Sequence, residues 1–125
     1  IAFLDGAPGK ITTLYRRDRE MVIRVRDLLR AALPASLSLE EVADQLHLSP
    51  RTAHRRLEEE GSSFRAIKDA LRRDMALARL TKTRDPISQV AADLGYADTS
   101  AFYRAFVEWT GMAPVYYRRL WSGKT

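Results

Sequence analysis

Cysteine is absent from this chain, so disulfides, thiolate metal sites and thiol nucleophiles are all excluded. Histidine is nearly absent: His47 and His54 are the only two. Neither sits in an arrangement of Ser or carboxylate that suggests a catalytic triad or a metal site. The six glycines form no loop of the kind that cradles phosphates. No apolar run reaches membrane-spanning length, and no signal-peptide pattern is present. Strand-like alternation never lasts more than a few residues. These absences point away from an enzyme, from any cofactor and from a membrane protein, and toward an all-α fold. An initiator Met is also missing, and a chain opening on Ile1 is expected to be a piece of something longer.

What is present is an ordinary globular composition with a basic balance. The 125 residues fit one domain or two very small ones, and 46% of them are apolar. Such a chain buries roughly two-thirds of its unfolded surface, enough for a modest core. Twenty-one Lys and Arg against sixteen Asp and Glu leave a net charge of +5. A basic balance suits a polyanion partner, although the charges are interspersed. Arg heavily outnumbers Lys, which fits forked hydrogen bonds to phosphates and guanine edges. A GC-rich genome would produce the same bias.

The most informative stretch runs from Ile87 to Arg118. Ile87, Val90, Ala91 and Leu94 recur at helical spacing, with Asp85 expected as N-cap and Pro86 as the first helical residue. Gly95 follows the last periodic residue, where a helix end favours a left-handed backbone. Asp98 then caps a second helix carrying Phe102, Phe106 and Trp109, which Gly111 stops, and Pro114 starts a third. In that last helix Tyr117 and Trp121 are expected to pack while Arg118 and Arg119 stay outside. Two short helices joined by a tight Gly-containing turn make a helix-turn-helix, whose second helix enters DNA.

The pattern occurs twice. Ser38 and Glu41 have capping-box spacing and open a helix with Leu39, Val42, Ala43 and Leu46. Ser49 and Pro50 open the next, which ends at Gly61. Val42, Ala43, Leu46 and Leu48 match Val90, Ala91, Leu94 and Tyr96 at an offset of 48, and Arg55 and Leu57 match Arg104 and Phe106 at 49. A repeated reading unit is far more specific than one copy. Between the copies, Ser62 or Ser63 opens the longest helix, through about Lys82. Phe64, Ile67, Leu71, Met75 and Ala78 form one stripe, with Leu77 and Leu80 on another face. Its length of roughly 30 Å is close to the roughly 34 Å between successive major grooves on one side of DNA. Upstream, Asp18 is expected to cap a helix whose apolar face is Met21, Val22, Val25, Leu28, Leu29 and Ala32. The expected layout is therefore about seven helices: residues 1–17 a linker or tail, 18–62 the first unit, 63–82 the linker helix and 83–125 the second unit.

These residues also resemble a family. Ile87, Val90-Ala91, Leu94-Gly95-Tyr96, Phe102, Arg104-Ala105-Phe106, Gly111, Pro114 and Tyr117-Arg118 are similar to the second helix-turn-helix of the arabinose-operon-regulator (AraC/XylS) class of bacterial transcription factors. LSPRTAHRRLEEEGSSF resembles the first, departing at Ala53, where the family usually has Leu. The resemblance covers about Leu28 to Arg119 and implies the same two-unit arrangement. Modules of this class also occur fused to cysteine-using DNA-repair alkyltransferases, a chemistry this cysteine-free chain lacks the means to perform.

The resemblance maps base reading onto Arg51, His54 and Arg55. Arg forks to guanine O6 and N7, and His donates to or accepts from a base edge; for Arg55 a phosphate anchor is the rival role. In the second unit the groove-facing residues are Thr99, Ser100, Tyr103 and Arg104, with Tyr103 suited to a thymine methyl or a phosphate. Phosphate contacts are expected from Ser49, Thr52, Arg56, Asp98 and Arg118, and from amides at the helix N-termini. Glu58, Glu59 and Glu60 read as a solvated run. The expected function is sequence-specific binding of double-stranded DNA by a bacterial transcription regulator, in the cytoplasm on the nucleoid, without catalysis, metal or cofactor. RNA polymerase is an expected partner, and an effector-binding or dimerisation domain belongs upstream. The competing reading is a helical protein-interaction module with weak, non-specific DNA binding.

Overall fold

The structure is a computed structural model that describes residues 19–122. The expectations for residues 1–17 and for Asp18 as a cap lie outside these residues. Seven helices and no strand occur among the described residues: α1 Glu20–Ala32, α2 Leu39–Gln45, α3 Pro50–Glu59, α4 Phe64–Lys82, α5 Ile87–Asp93, α6 Thr99–Thr110 and α7 Pro114–Ser122. They divide into two compact units, one holding residues up to Leu29 together with 37–67, the other 30–36 together with the residues from Lys68 onward. The first residues of α4 belong to the first unit and the rest to the second.

In the first unit Met21, Val22, Val25 and Leu29 of α1 are buried, as are Val42 and Ala43 of α2, Ala53 and Leu57 of α3, and Ile67 of α4. Ala53 is fully buried, so the smaller residue still faces inward. Leu28, expected on the same face of α1, is only partly buried. Ser38 and Glu41 form the expected capping box on α2: the Glu41 amide donates to Ser38 Oγ at 3.1 Å, and the Ser38 amide donates to Glu41 Oε1 at 2.8 Å. The Ala66 amide donates to Ser63 Oγ, which makes Ser63 the residue that opens α4.

One correction changes how this unit is held. Glu60 is not part of a solvated run. The Met21 amide donates to its Oε2 at 2.9 Å and the Val22 amide to its Oε1 at 2.8 Å. First-turn amides have no partner within their own helix, and a carboxylate there also complements the helix dipole. Glu60 therefore caps α1 from across the unit.

In the second unit Ala76 and Leu80 of α4, Val90 and Ala91 of α5, Leu94, and Phe102 and Phe106 of α6 form the core. Leu33, Met75, Leu77, Ile87, Tyr96, Trp109 and Tyr117 pack against it. Of the expected α4 stripe, Ile67 and Leu71 are buried and Met75 packs against this core, whereas Ala78 is only partly buried and Ala76 is fully buried instead. Aromatic rings continue the core outward, Phe106 meeting Tyr117 edge-on at 5.4 Å and Tyr96 meeting Phe102 at 5.4 Å.

The N-cap of α5 is Pro86, with no side-chain cap. Asp85 instead spends its carboxylate on Arg79, whose Nη2 lies 2.8 Å from Asp85 and 3.1 Å from Asp93, so one guanidinium holds both ends of α5. Burial disfavours the Arg79 charge, but its bonds to Asp85 and Asp93 outweigh this and raise its pKa. Arg118 does not stay outside: its Nε donates to the Leu80 carbonyl at 3.1 Å, and its Nη2 is buried. That carbonyl lies in the last turn of α4, where carbonyls lack helical partners and cations are favoured. Trp121 touches Tyr117 but remains 51% exposed, so it does not pack as expected.

The Glu60 cap is testable. Glu60→Ala strands two first-turn amides and is expected to cost about 1–3 kcal/mol of stability. Glu60→Gln keeps an acceptor and is expected to cost less. Urea denaturation of the three proteins measures both, and equal midpoints would contradict the assignment.

Candidate nucleic-acid interface

Each unit contains two helices joined by a turn of the same construction. In the first, the Leu46 amide donates to Val42 and the Leu48 amide to Ala43, at 3.1 and 2.9 Å. In the second, the Leu94 amide donates to Val90 and the Tyr96 amide to Ala91, at 3.1 and 3.0 Å. All four pairs are related by the offset of 48 seen in the sequence. The residue at the corner is left-handed in both, His47 with φ 60° and Gly95 with φ 88°.

The reading helices then start from side-chain caps. Ser49 Oγ accepts from the Thr52 amide at 3.1 Å and donates to Thr52 Oγ1 at 3.0 Å. Asp98 accepts from the Ala101 amide at 2.8 Å. Both caps satisfy orphan amides locally. Gly111, left-handed with φ 81°, closes α6.

On α3, Ala53 and Leu57 point into the core while Arg51, His54, Arg55 and Arg56 are exposed and Thr52 is partly so. On α6, Phe102 and Phe106 point inward; Ser100 and Arg104 are exposed, and Thr99 and Tyr103 partly exposed. Each unit thus brings its own set of candidate readers onto one outward helix face. Arg118 is not gathered with them, because its guanidinium is engaged at the end of α4.

The first two turns of α3 carry only basic and neutral residues, but its last turn is acidic. His54 Nε2 lies 3.4 Å from Glu58 and Arg55 Nε lies 3.7 Å from Glu59, both one helical turn on. These side chains are more than half exposed, and such pairs are worth only about 0.2–1 kcal/mol. They orient the two bases loosely and are cheap to release. The sequence already places an acid four residues after each, but only the structure shows both pairs made.

One further residue on the outward face of α6 is not among those the sequence pattern singles out. Val107 is 44% exposed, a turn beyond Tyr103 and Arg104. With those two and Glu108 it lines a shallow, mostly apolar notch. Its signal was available: Val107 falls three residues after Arg104, on the face opposite Phe102 and Phe106. Among the described residues no cluster of His, Asp and Glu is suited to hold a metal, and no helix is long and apolar enough to cross a membrane.

Comparison with known proteins agrees with this geometry. A family profile described as a helix-turn-helix domain matches residues 42–120. The ornithine utilization regulator of Pseudomonas aeruginosa is 40% identical over 98 residues, 78% of this chain and 29% of that protein. The HTH-type transcriptional regulator VirS of Mycobacterium tuberculosis is 39% identical over 102 residues, 81% of this chain and 30% of that protein. The chain therefore spans less than a third of the length of these two relatives. The crystal structure of a DNA-binding transcriptional dual regulator from Escherichia coli K-12 has a TM-score of 0.77 at 27% identity, covering 84% of this chain and 94% of that one.

The two corners hold different residues, His47 and Gly95, and this yields an asymmetric prediction. A Cβ on Gly95 would lie 2.7 Å from the Pro34 carbonyl oxygen, within the same unit. Gly95→Ala is expected to cost more than about 1 kcal/mol, from the left-handed backbone and this clash together. His47→Gly relieves a left-handed penalty of about 1–2 kcal/mol against a chain-entropy cost of about 0.5–1 kcal/mol, so it is expected to be neutral or slightly stabilising. Thermal unfolding of both variants checks the contrast in sign.

Proposed function

The chain belongs to the AraC-type helix-turn-helix family of transcription regulators, and from this membership we propose that it reads DNA as a single chain with two heads. α3 and α6 enter separate major-groove segments, each through the outward face of its first turns. The observation that carries this reading is the repeated turn: the same two amide-to-carbonyl bonds and the same left-handed corner present a reading helix in each unit.

Within the first head, Arg51, His54 and Arg55 read base edges, while Ser49, Thr52 and Arg56 meet phosphates. Within the second, Thr99, Ser100, Tyr103 and Arg104 face bases and the N-terminus at Asp98 meets a phosphate. Arg51 carries most of the discrimination, since its guanidinium satisfies both O6 and N7 of one guanine, a pair no other base offers in the major groove. For the whole protein we infer an upstream effector-binding or dimerisation domain, a nucleoid location in the cytoplasm and contact with RNA polymerase; the greater length of the relatives leaves room for a further domain. Two heads in one chain remove the need for dimer symmetry, so the preferred site is not a palindrome.

The test is selection of bound oligonucleotides from a random pool, followed by titration at several salt concentrations. Arg51→Ala is expected to cost about 1–3 kcal/mol on the selected site and to relax one base pair. A phosphate anchor such as Arg56 is expected to weaken all sequences alike and lower the salt slope by about one. Equal weakening of every sequence by Arg51→Ala would make it an anchor. Binding that vanishes in competitor DNA would overturn sequence-specific reading altogether.

A further inference from the structure

We propose that Val107 is a base-reading residue, and that the notch it forms with Tyr103 takes the C5-methyl group of a thymine. This deepens the reading of α6 as a recognition helix and rests on it. The sequence places the second head's readers at Thr99, Ser100, Tyr103 and Arg104, of which Tyr103 brings the largest apolar surface. Val107 is 44% exposed although the core takes its neighbours Phe102 and Phe106 completely. It stands three residues after Arg104 and four after Tyr103, and side chains at those spacings share one face of a helix. The notch that Tyr103, Arg104, Val107 and Glu108 enclose is open toward the outside and mostly apolar.

The chemistry of those four side chains matches one kind of base-pair edge. In the major groove only thymine offers an apolar group, its C5-methyl. Val107 and Tyr103 bring the apolar lining. Glu108 accepts hydrogen bonds, which suits an exocyclic amino group of adenine or cytosine and opposes the acceptors of guanine. Arg104 donates only, which suits a neighbouring guanine or a phosphate. A thymine·adenine pair next to a guanine presents the methyl, the amino group and the acceptors together. At the position of the first head that matches Val107, α3 carries the acidic Glu58.

The experiment pairs a change in the protein with the removal of one methyl from the DNA. A site selected from a random pool is resynthesised with each thymine replaced in turn by deoxyuridine, and binding is measured for the wild type, Val107→Ala and Val107→Thr. One position is expected to lose about three- to fivefold in affinity for the wild type, the worth of about one buried methyl. At that position Val107→Ala is expected to bind thymine and uracil sites equally. Val107→Thr, which preserves the shape, is expected to keep part of the preference. Because Val107 is half exposed, thermal unfolding of both variants is expected to match the wild type. If the wild type selects no sequence, the reading of the domain fails. If it selects a sequence but no deoxyuridine weakens it, or Val107→Ala still senses the methyl, the assignment of Val107 fails alone.

Discussion

The turn between scaffold helix and reading helix is the constraint on which the rest depends. A buried alanine carbonyl, Ala43 in one unit and Ala91 in the other, accepts the amide of the residue five positions on. The chain makes that return only by passing through a left-handed residue, an arrangement that L side chains adopt at a cost. Once the bond is made, the direction of the next helix is set and its inward side chains, Leu57 or Phe102 and Phe106, drop into the core. The outward residues are then confined to one face of their helix. The presentation of Arg51 and Arg104 is thus a consequence of backbone geometry several residues upstream of them.

The two units reach the same turn with different supports. In the first, α2 carries its own capping box and α1 is tied down by the Glu60 carboxylate. In the second, α5 has no side-chain cap, and Arg79 grips Asp85 before it and Asp93 at its end. Arg118 closes the C-terminal turn of α4 in a comparable way. A larger aromatic core compensates for the shorter local signals, with Phe102, Phe106, Tyr96, Trp109 and Tyr117 in mutual edge contact. Both solutions obey one rule: helix ends expose unpaired amides and carbonyls, and something must meet them.

The charges on the outward faces show why a net charge says little about reading. Arg51 is followed one turn later by Arg55, whereas His54 and Arg55 are each followed by an acid they touch. Long-range attraction to DNA comes from the whole basic surface. Discrimination instead depends on which few side chains reach a base edge, and on the groups, charged or apolar, that stand beside them.

How much of this was legible in the sequence follows from the range of each interaction. Helix periodicity, the Ser38, Ser49 and Asp98 caps, the left-handed Gly95 and the stop at Gly111 were readable, because each is decided within about four residues; the repeat at 48 was readable because it duplicates such local patterns, while the choice of Ser63 over Ser62 was not. The inward placement of Leu57, Phe102 and Phe106 was readable for the same reason, and with it the outward sets on α3 and α6. What only the tertiary structure decided were the partners of ionisable side chains. Glu60 reaches amides 38 and 39 positions away, and Arg118 a carbonyl 38 positions away. Local spacing assigned Glu60 and Arg118 to solvent and Asp85 to a cap. A flexible charged side chain goes to whichever unpaired backbone group or counter-charge the fold brings within about 3 Å, and that proximity is a property of packing, which no local pattern in the chain encodes.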